Sequence, residues 1–397
     1  MVPYHFPQGG KVDTLWLEMK QVWYFDNAAT TKISDRALHA YIEASNEDWG
    51  NPSSRHKAGR EARALLEGNR ATLASLLGVS ANQLFFTACS TESNAIVLQS
   101  LLWSPQPGHV IIPSIEHNAV KGYVRLLKEK GWNVSLVDAP EGFVDPDTIA
   151  SLLTPQTRMV AIMLVNNVTG TIQPVKEIVQ ICKDYQATHG GRKIHVHTDA
   201  TQALGKIPFR LTDLGVDSAA FSAHKLQGPK GVGLLYNTDP AVIGLSRGGE
   251  QEAALRPGTE NTPGIAAMTV AVQDALSSLD AHYEQAVHLN HMIRIELDGV
   301  VQFLTPTKGS SPWILNITTD TYPSEVFTRM LYDADFCVSA GSACSNNAQG
   351  KQESVITAMR FSPAQARGSI RISLGYQTTE QEVMLLCQTI RHLLGRG

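Results

Sequence analysis

The sequence predicts an α/β protein with a large, mostly parallel seven-stranded sheet and a second, smaller α+β domain. Short runs of strand length that are nearly apolar throughout recur in the middle of the chain, and helix-like stretches such as 118–130 and 175–185 separate several of them. Strands without polar alternation are typical of a parallel sheet covered on both faces. The strand-like runs are 84–87, 110–113, 134–137, 159–165, 194–199, 218–222 and 233–236.

The second domain is predicted from a change of pattern after Gly264. Longer helix-like stretches, 265–280 and 282–297, precede new strand-like runs at 314–317 and 369–373. A chain of 397 residues also exceeds the size at which a single core usually stops growing. We therefore assign residues 34–280 to the large domain and residues 19–33 with 281–397 to the small one. Residues 1–18 are expected to form a poorly ordered N-terminal extension.

Composition argues against several classes of protein. The 33 Lys and Arg residues against 37 Asp and Glu give a net charge of −4 with no basic stripe, so nucleic acid is not an expected partner. The longest apolar run, 159–165, is far shorter than the roughly 20 residues that cross a bilayer. The first 22 residues lack the apolar core of a secretory signal. The 5 cysteines show neither a CxxC pair nor metal-finger spacing, so we expect a reduced, cytoplasmic protein without a metal site.

A lysine stands on a predicted turn between two strand-like runs. Lys225 follows Ser222 and His224 and precedes the glycines of Gly228-Pro-Lys-Gly231. A lysine held among cationic or apolar neighbours has a lowered pKa and can form a Schiff base with a carbonyl cofactor such as pyridoxal phosphate. An ordinary surface lysine is the alternative, and the spacing alone does not decide between the two.

An aspartate ends the strand-like run 194–199. Ligands of parallel sheets bind beyond the carboxyl ends of the strands, which is where Asp199 is expected. A carboxylate there would keep the ring nitrogen of pyridoxal phosphate protonated. Asp199 is equally suited to cap the helix-like segment that follows it, and the two roles are compatible.

A third polar segment, 86–94, follows a strand-like run and opens a helix-like stretch. Backbone N–H groups and the hydroxyls of Ser90 and Thr91 would converge there on an anion, and the helix dipole favours phosphate. Turns rich in Ser and Thr are also common helix caps. The segment therefore supports a phosphate site only together with Lys225 and Asp199.

One cysteine differs from the others in its surroundings. Cys344 lies in a loop rich in Gly and Ser, where a thiol is expected to be exposed and reactive as its thiolate. Cys182, Cys337 and Cys387 are expected in the core, and Cys89 is expected to serve packing.

Taken in order, these residues resemble the group I cysteine desulfurases of the class V aminotransferase family, which are pyridoxal 5'-phosphate enzymes of fold type I. The resemblance spans residues 24–391. Its markers are Asp26-Asn-Ala-Ala-Thr-Thr31, Gly50-Asn-Pro-Ser-Ser54, Glu116-His117, Val165-Asn-Asn167, Asp199-Ala-Thr-Gln202, Ser222-Ala-His-Lys225, Arg256-Pro-Gly-Thr259, the loop around Cys344 and Ile370-Arg-Ile-Ser-Leu-Gly375.

The resemblance implies a role for each position. Lys225 would carry the cofactor, Asp199 would pair with its ring nitrogen, and His117 would stack on the ring and share proton transfers. Arg371 would clamp the substrate carboxylate, beside Asn167. The cofactor's phenolic oxygen and phosphate would be held by Asn167, Gln202, Ser90, Thr91, Ser222, His224 and Thr259, the last reaching over from the second subunit of a homodimer with shared active sites.

The implied reaction converts L-cysteine to L-alanine. Cys344 would attack the substrate sulfur as a thiolate, and the resulting persulfide would pass to a sulfur-acceptor protein such as an iron–sulfur scaffold or a sulfur carrier. This is a sulfurtransferase activity that serves iron–sulfur cluster assembly or thio-cofactor synthesis.

Three positions depart from the family pattern. Val168 stands where a glutamate is usual, and Cys89 and Ser90 stand where Gly and Ala are usual, but none of these changes removes a catalytic group. Selenocysteine and cysteine sulfinate stay open as substrates, because they share the amino acid head of cysteine. Two other classes of protein are alternatives. Retention of the catalytic set argues against a non-catalytic sulfur-transfer adaptor, and Cys344, which transamination does not need, argues against an ordinary aminotransferase.

Overall fold

The computed structural model of the protein describes residues 22–244, 246–341 and 355–395. The predicted extension, 1–18, and Cys344 lie outside these residues. The helices are α1 Asp35–Glu47, α2 Lys57–Leu77, α3 Ser90–Ser100, α4 Asn118–Lys121, α5 Tyr123–Glu129, α6 Pro146–Leu152, α7 Val175–His189, α8 Leu211–Leu214, α9 Thr262–Ser277, α10 Leu279–Glu296, α11 Ser324–Asp333, α12 Val355–Ala358, α13 Pro363–Arg367 and α14 Glu380–Leu393. The strands are β1 Trp23–Tyr24, β2 Leu84–Thr87, β3 His109–Pro113, β4 Asn133–Val137, β5 Thr157–Ala161, β6 His195–Asp199, β7 Ser218–Ser222, β8 Gly233–Asn237, β9 Gln302–Phe303, β10 Ile314–Thr318, β11 Phe336–Cys337, β12 Ser339–Ala340 and β13 Ser369–Ser373.

The large sheet has seven strands in the order β2-β8-β7-β6-β5-β3-β4. The pairs from β7 to β4 are parallel, and β8 is antiparallel to both of its neighbours. Both faces are apolar: Val110 and Ile112 join one buried cluster, whereas Ile111 joins another on the opposite face. The predicted mostly parallel seven-stranded sheet is therefore confirmed.

Two elements differ from their predicted extent. Strand β5 ends at Ala161 rather than at Val165. The backbone N–H of Met163 donates to the Glu116 carboxylate instead of to a strand, although those of Ile162 and Leu164 still donate to β6. The stretch 118–130 is divided at Gly122 into α4 and α5, which agrees with the low helix propensity of glycine. Among the described helices, none combines the length and the apolar character needed to cross a membrane.

A second sheet with four strands in the order β12-β13-β10-β9 is antiparallel throughout. Its own buried cluster contains Trp313, Phe327 and Ile372. Strand β1 pairs with β11, and Phe25 is buried in the same cluster, so the start of the described chain packs with this unit. The boundaries of the two domains stay a prediction.

A buried ion pair fixes the loop before α9 to the start of the large sheet. The Arg70 guanidinium donates to both carboxylate oxygens of Glu252 at 2.8 and 2.7 Å, and the Phe86 backbone N–H donates to the same carboxylate at 2.7 Å. The Glu252 side chain is 1% exposed and that of Arg70 is 10% exposed. We expect Glu252→Ala to lower the free energy of unfolding by about 3–5 kcal/mol, because it leaves a buried cation without its partner.

A urea titration at fixed cofactor concentration measures this effect. Glu67→Ala is the matched control, since Glu67 also pairs with Arg70, at 3.0 Å, but is 49% exposed. The control should change the free energy of unfolding by less than about 1 kcal/mol. Equal losses in the two variants would contradict the assignment of the stability to the buried pair.

Candidate active site

Asp199 lies at the carboxyl end of β6, as predicted, and is buried. Its two carboxylate oxygens accept from the Asn94 side-chain amide at 2.7 Å and from the Thr201 backbone N–H at 3.0 Å. The predicted helix after Asp199 is wrong, because the structure forms successive turns over 201–206. Gly205 has a positive φ of 72°, and a Cβ there would meet Ala275 and Tyr376, so the chain turns tightly where a helix would need to continue.

Lys225 stands on a short 3-10 turn that follows β7. Its Nζ donates to the carbonyl oxygens of Ala28 and Ala29 at 2.7 and 2.6 Å. The Gln202 amide donates to the same Ala28 oxygen at 2.8 Å. Lys225 and Gln202, from two different strand ends, therefore meet at the backbone of the opening segment 26–31.

His224 and Ser222 flank this lysine on the same turn. Burial lowers the pKa of His224 to about 4, with a further contribution from the charge of Lys225. Its Nδ1 lies 3.1 Å from the Thr30 hydroxyl. The Ser222 hydroxyl is buried and has no hydrogen-bond partner among the described residues. Its oxygen is therefore available to a ligand.

The predicted phosphate segment forms the start of α3. Ser90 is the first helical residue, and no side chain caps the helix at Cys89. Thr91 is exposed and Ser90 is half-buried, so both hydroxyls are accessible. Glu92, on the first turn, accepts from the Ala88 backbone N–H and lies 3.5 Å from the Arg256 guanidinium. The helix end thus keeps the N–H groups and hydroxyls that an anion needs.

Thr259 is exposed on the loop that Arg256 anchors to Glu92. Its assignment to the active site of a second subunit stays a prediction.

His117 precedes α4 and caps it, because its Nδ1 accepts from the Ala119 backbone N–H at 3.1 Å. Burial lowers its pKa, and the charges of Lys225 and Lys121 add to this effect while Asp199 opposes it. A neutral ring that accepts at Nδ1 carries its proton on Nε2. Burial raises the pKa of the neighbouring Glu116 well above its usual value.

Arg371 lies on β13 and is buried. Its guanidinium donates to the Asn167 carbonyl at 2.9 Å, to the Asp26 carboxylate at 2.7 Å and to the Ser339 hydroxyl at 3.1 Å. Its Nε and the side-chain oxygen of Asn167 are buried and lack a partner among the described residues. Arg371 is thus positioned as a fork with donor capacity left for a carboxylate.

The described cysteines occupy different environments. Cys182 and Cys387 are buried, as predicted, and burial raises the pKa of each thiol to about 12. Cys337 is half-buried rather than in the core, because β11 belongs to a two-stranded sheet with β1. Cys89 is half-buried.

The site fits pyridoxal 5'-phosphate in the chemistry of its donors and acceptors. A carboxylate, an amine and the start of a helix correspond to the ring nitrogen, the aldehyde and the phosphate of that cofactor. Buried polar atoms normally have partners, yet those of Ser222, Asn167 and Arg371 have none among the described residues. These unpartnered atoms, all on predicted site residues, indicate that the site is built for a polar ligand.

Sequence reasoning missed two side chains of this site. Asn94 donates to Asp199, and Asp26 pairs with Arg371. Asp26 opens a segment that was singled out as a marker, so its position in the sequence carried a signal. Asn94 lay in the phosphate segment, but its partner is 105 residues away, and nothing local indicates that contact.

Comparisons with known proteins identify the family of the chain. Residues 23–386 match the family model for aminotransferase class-V. A protein of Lactobacillus delbrueckii subsp. bulgaricus, named as a NifS/IcsS protein homolog, is 36% identical over 367 residues, which cover 90% of this chain and 94% of the relative. The cysteine desulfurase IscS of Dictyoglomus turgidum is 33% identical over 383 residues, 95% of each chain. The solved structure of a NifS-like protein has a TM-score of 0.88 and 35% identity, and it covers 94% of this chain and 100% of its own.

The chain belongs to the class V aminotransferase family, whose fold type I architecture it shares. Within that family it belongs with the cysteine desulfurases of the IscS and NifS type, which depend on pyridoxal phosphate. The predicted family and fold are therefore confirmed.

Proposed function

We propose that the protein converts L-cysteine to L-alanine with bound pyridoxal 5'-phosphate and transfers the sulfur to Cys344 as a persulfide. The convergence of Lys225, Asp199 and Arg371 carries this proposal. An amine, a buried carboxylate and a guanidinium with free donor capacity come together where the two sheets meet the segment 26–31. Ser222, Asn167 and Arg371 each keep, in this region, a buried polar atom without a partner among the described residues.

The residues that would hold the cofactor follow from this geometry. Lys225 would bind its aldehyde carbon, Asp199 its ring nitrogen, and Gln202 and Asn167 its phenolic oxygen. Ser90, Thr91, Ser222 and His224 would surround its phosphate. The cofactor would supply an electron sink for the substrate's α-carbon.

The protein's own groups would then move the protons. Arg371 would bind the substrate carboxylate. The substrate carboxylate would then lie beside the Asp26 carboxylate, because Asp26 accepts from the same guanidinium. The Lys225 amine, once released by the substrate amine, would take the α-proton. His117, held neutral by its lowered pKa, would relay a proton through its Nε2.

Cys344 would complete the reaction as a thiolate. Its sulfur would form a bond to the substrate sulfur while the carbon–sulfur bond breaks, and a proton would reach the product carbon to give alanine. Strand β12 supports this role, because Ser339 pairs with Arg371 across the sheet and the chain continues through Gly341 towards Cys344. The proposed nucleophile thus follows, by five residues in the sequence, a direct neighbour of the proposed carboxylate clamp.

The partners follow from the same chemistry. The persulfide would pass to a thiol of a sulfur-acceptor protein, for iron–sulfur cluster or thio-cofactor synthesis. A homodimer would allow Thr259 of a second copy to reach the phosphate end of the site. The described cysteines are all free, which supports a reducing, cytoplasmic setting.

The decisive experiment incubates the cofactor-loaded protein with L-cysteine and a reducing thiol and measures alanine and sulfide. Equal amounts of the two products would support the proposal. Parallel reactions with selenocysteine and cysteine sulfinate compare kcat/KM for the three substrates. Alanine without sulfide from cysteine, or turnover of cysteine sulfinate alone, would contradict it.

We expect Arg371→Lys to lower kcat/KM for L-cysteine by about 10- to 100-fold, mainly through a higher KM. A lysine supplies one charged point where the guanidinium supplies a planar fork of donors. Steady-state kinetics over a range of cysteine concentrations measure the change. Arg367→Lys is the matched control, since Arg367 is exposed four residues earlier on the same segment, and it should leave KM unaltered. An unchanged KM in Arg371→Lys would exclude Arg371 as the carboxylate clamp.

A further inference from the structure

Three residues of β6 point to the same face of the large sheet. His195, His197 and Asp199 occupy alternate positions along the strand, which places their side chains on one side. Helix α3 packs on this side and contributes Asn94. The adjacent strand β7 contributes Ser218, which is in register with His197. All of these side chains are buried.

These side chains form an unbroken line of hydrogen bonds from Asp199 to the opposite edge of the sheet. Asn94 donates to Asp199 at 2.7 Å, and its oxygen lies 2.8 Å from His197 Nε2. His197 Nδ1 lies 2.7 Å from the Ser218 oxygen, which lies 2.7 Å from His195 Nε2. His195 Nδ1 lies 2.9 Å from the carboxylate of Asp239, whose side chain is 13% exposed.

The chemistry of the donors gives this line a single direction. A carboxylate only accepts, so Asn94 presents its nitrogen to Asp199 and its oxygen to His197. His197 must then donate from Nε2. Burial, assisted by the neighbouring His195, lowers the pKa of His197 to about 3, so its ring is neutral and its Nδ1 accepts from the Ser218 hydroxyl.

The far end of the line follows by the same reasoning. The Ser218 hydroxyl donates its only proton to His197, so its oxygen accepts from His195 Nε2. The Asp239 carboxylate accepts from His195 Nδ1, and this hydrogen bond is the main reason that the pKa of Asp239 falls to about 2. Two donated protons make His195 an imidazolium.

The far end of the line is bordered by charged groups of both signs. A cavity of about 350 Å³ opens there, and Arg158, Arg192 and Lys193 are among its lining residues. Lys193 is paired with Asp217, which also accepts from the Val196 backbone N–H. The second carboxylate is that of Asp239, which is hydrogen-bonded to His195. Two carboxylates thus face this edge of the sheet together with the three cations.

We propose that Asn94, His197, Ser218 and His195 are positioning residues that form a one-way hydrogen-bond line, ending in an imidazolium–carboxylate pair, which holds Asp199 as an oriented carboxylate. This inference rests on the proposed function, in which Asp199 pairs with the cofactor's ring nitrogen. Each group in the line can donate only in one direction while Asp199 is ionised. A break at His197 therefore leaves Asn94 beside Asp199 but removes the contact that keeps the Asn94 nitrogen turned towards that carboxylate.

Histidine ¹⁵N spectra of the holoenzyme test the order of the line directly. His197 is expected as the neutral ring with its proton on Nε2, and His195 as the ring with protons on both nitrogens, near neutral pH. The signals are assigned by their loss in His197→Leu and His195→Leu. A neutral His195, or a His197 protonated on Nδ1, would overturn the proposal.

His197→Leu tests the effect on Asp199. The cofactor's ring nitrogen, labelled with ¹⁵N, should move towards its unprotonated chemical shift. We expect kcat for L-cysteine to fall by about 10- to 100-fold with KM changed less than about 3-fold, the scale of a buried polar group left without its partner, here the Asn94 side-chain oxygen. His109→Leu is the matched control, since His109 is equally buried and bonds Thr157 and Ser135 at 2.9 Å, away from Asp199. It should shift neither the ring-nitrogen signal nor kcat.

Ser218→Ala separates the line from local packing. This change leaves the His197–Asn94 contact and removes the link to His195, so it should move the ring-nitrogen signal in the same direction by a smaller amount. If His197→Leu does not bind the cofactor, the result for Ser218→Ala decides. Unchanged ring-nitrogen shifts in both variants of an active protein would overturn the inference, whereas a wild-type protein without alanine formation would overturn the proposed function.

Discussion

Replacing Lys225 with alanine is expected to abolish covalent retention of the cofactor and to lower alanine formation by at least about 100- to 10,000-fold, the range attributed to a positioned general base. The physical reason is that one amine serves both purposes. In the proposed reaction Lys225 would hold the cofactor and would also take the α-proton of the substrate. Reduction with borohydride followed by peptide mass analysis should place the cofactor on the peptide that contains Lys225 in the wild type and nowhere in Lys225→Ala.

Another lysine near the site, Lys206, provides the matched control. Lys206 is buried, burial lowers its pKa to about 7, and its Nζ donates to Gln202 at 3.1 Å. A lowered pKa is what Schiff-base chemistry asks of a lysine, so Lys206 is the alternative candidate for that role. Lys206→Met should nevertheless retain the covalently fixed cofactor on Lys225. Label on the peptide containing Lys206 would refute the assignment of Lys225.

Cys344→Ala is expected to leave cofactor binding intact and to stop persulfide formation, with sulfide and alanine release lowered by at least about 100-fold. In the proposed step a thiolate would be the nucleophile, and the methyl group of alanine cannot take this role. Mass spectrometry after addition of L-cysteine without reductant should show a sulfur atom added to the wild type and none added to the variant. The visible absorbance of the bound cofactor should be the same in both.

Cys337→Ser is the control for this thiol, because Cys337 lies seven residues earlier and burial raises its pKa above the usual value. A thiol of raised pKa is less ionised near neutral pH and is a poorer nucleophile. The control should form the persulfide at the wild-type rate. Wild-type sulfide release by Cys344→Ala would remove Cys344 from the mechanism.

The large sheet could be predicted because its strands are apolar throughout, and this pattern depends only on local composition. The ends of the elements depend on contacts from elsewhere. Strand β5 stops early, near the point where Glu116 accepts from the N–H of Met163, and the chain after Asp199 turns because Gly205 packs against Ala275. Both contacts join residues that are far apart in the sequence, so the local pattern of the strand-like or helix-like stretch does not indicate them.

The candidate site shows the same division. Lys225 and Asp199 could be predicted as reactive groups from their place at strand ends, and Arg371 from the family resemblance. Their partners could not. Asn94 reaches Asp199 from another element, and the segment 26–31 receives Lys225 across nearly 200 residues of chain, with separations of 197 and 196 residues for its two bonds. Chemical type is local in sequence, whereas the surroundings that set charge and geometry are brought together by the fold.

The contacts of Lys225 and Gln202 to the opening segment have a consequence for mutational scanning. Their acceptors are the main-chain oxygens of Ala28 and Ala29, which every amino acid carries. A scan that substitutes one residue at a time would report only the effect of losing the alanine methyl groups. It would not detect the contribution of the main-chain carbonyls, which substitution does not remove. Deleting one residue within 28–31 would instead shift the backbone carbonyl oxygens of this segment relative to the Lys225 amine. We therefore expect positions 28–31 of this protein to tolerate substitution well and to tolerate the deletion of a residue poorly.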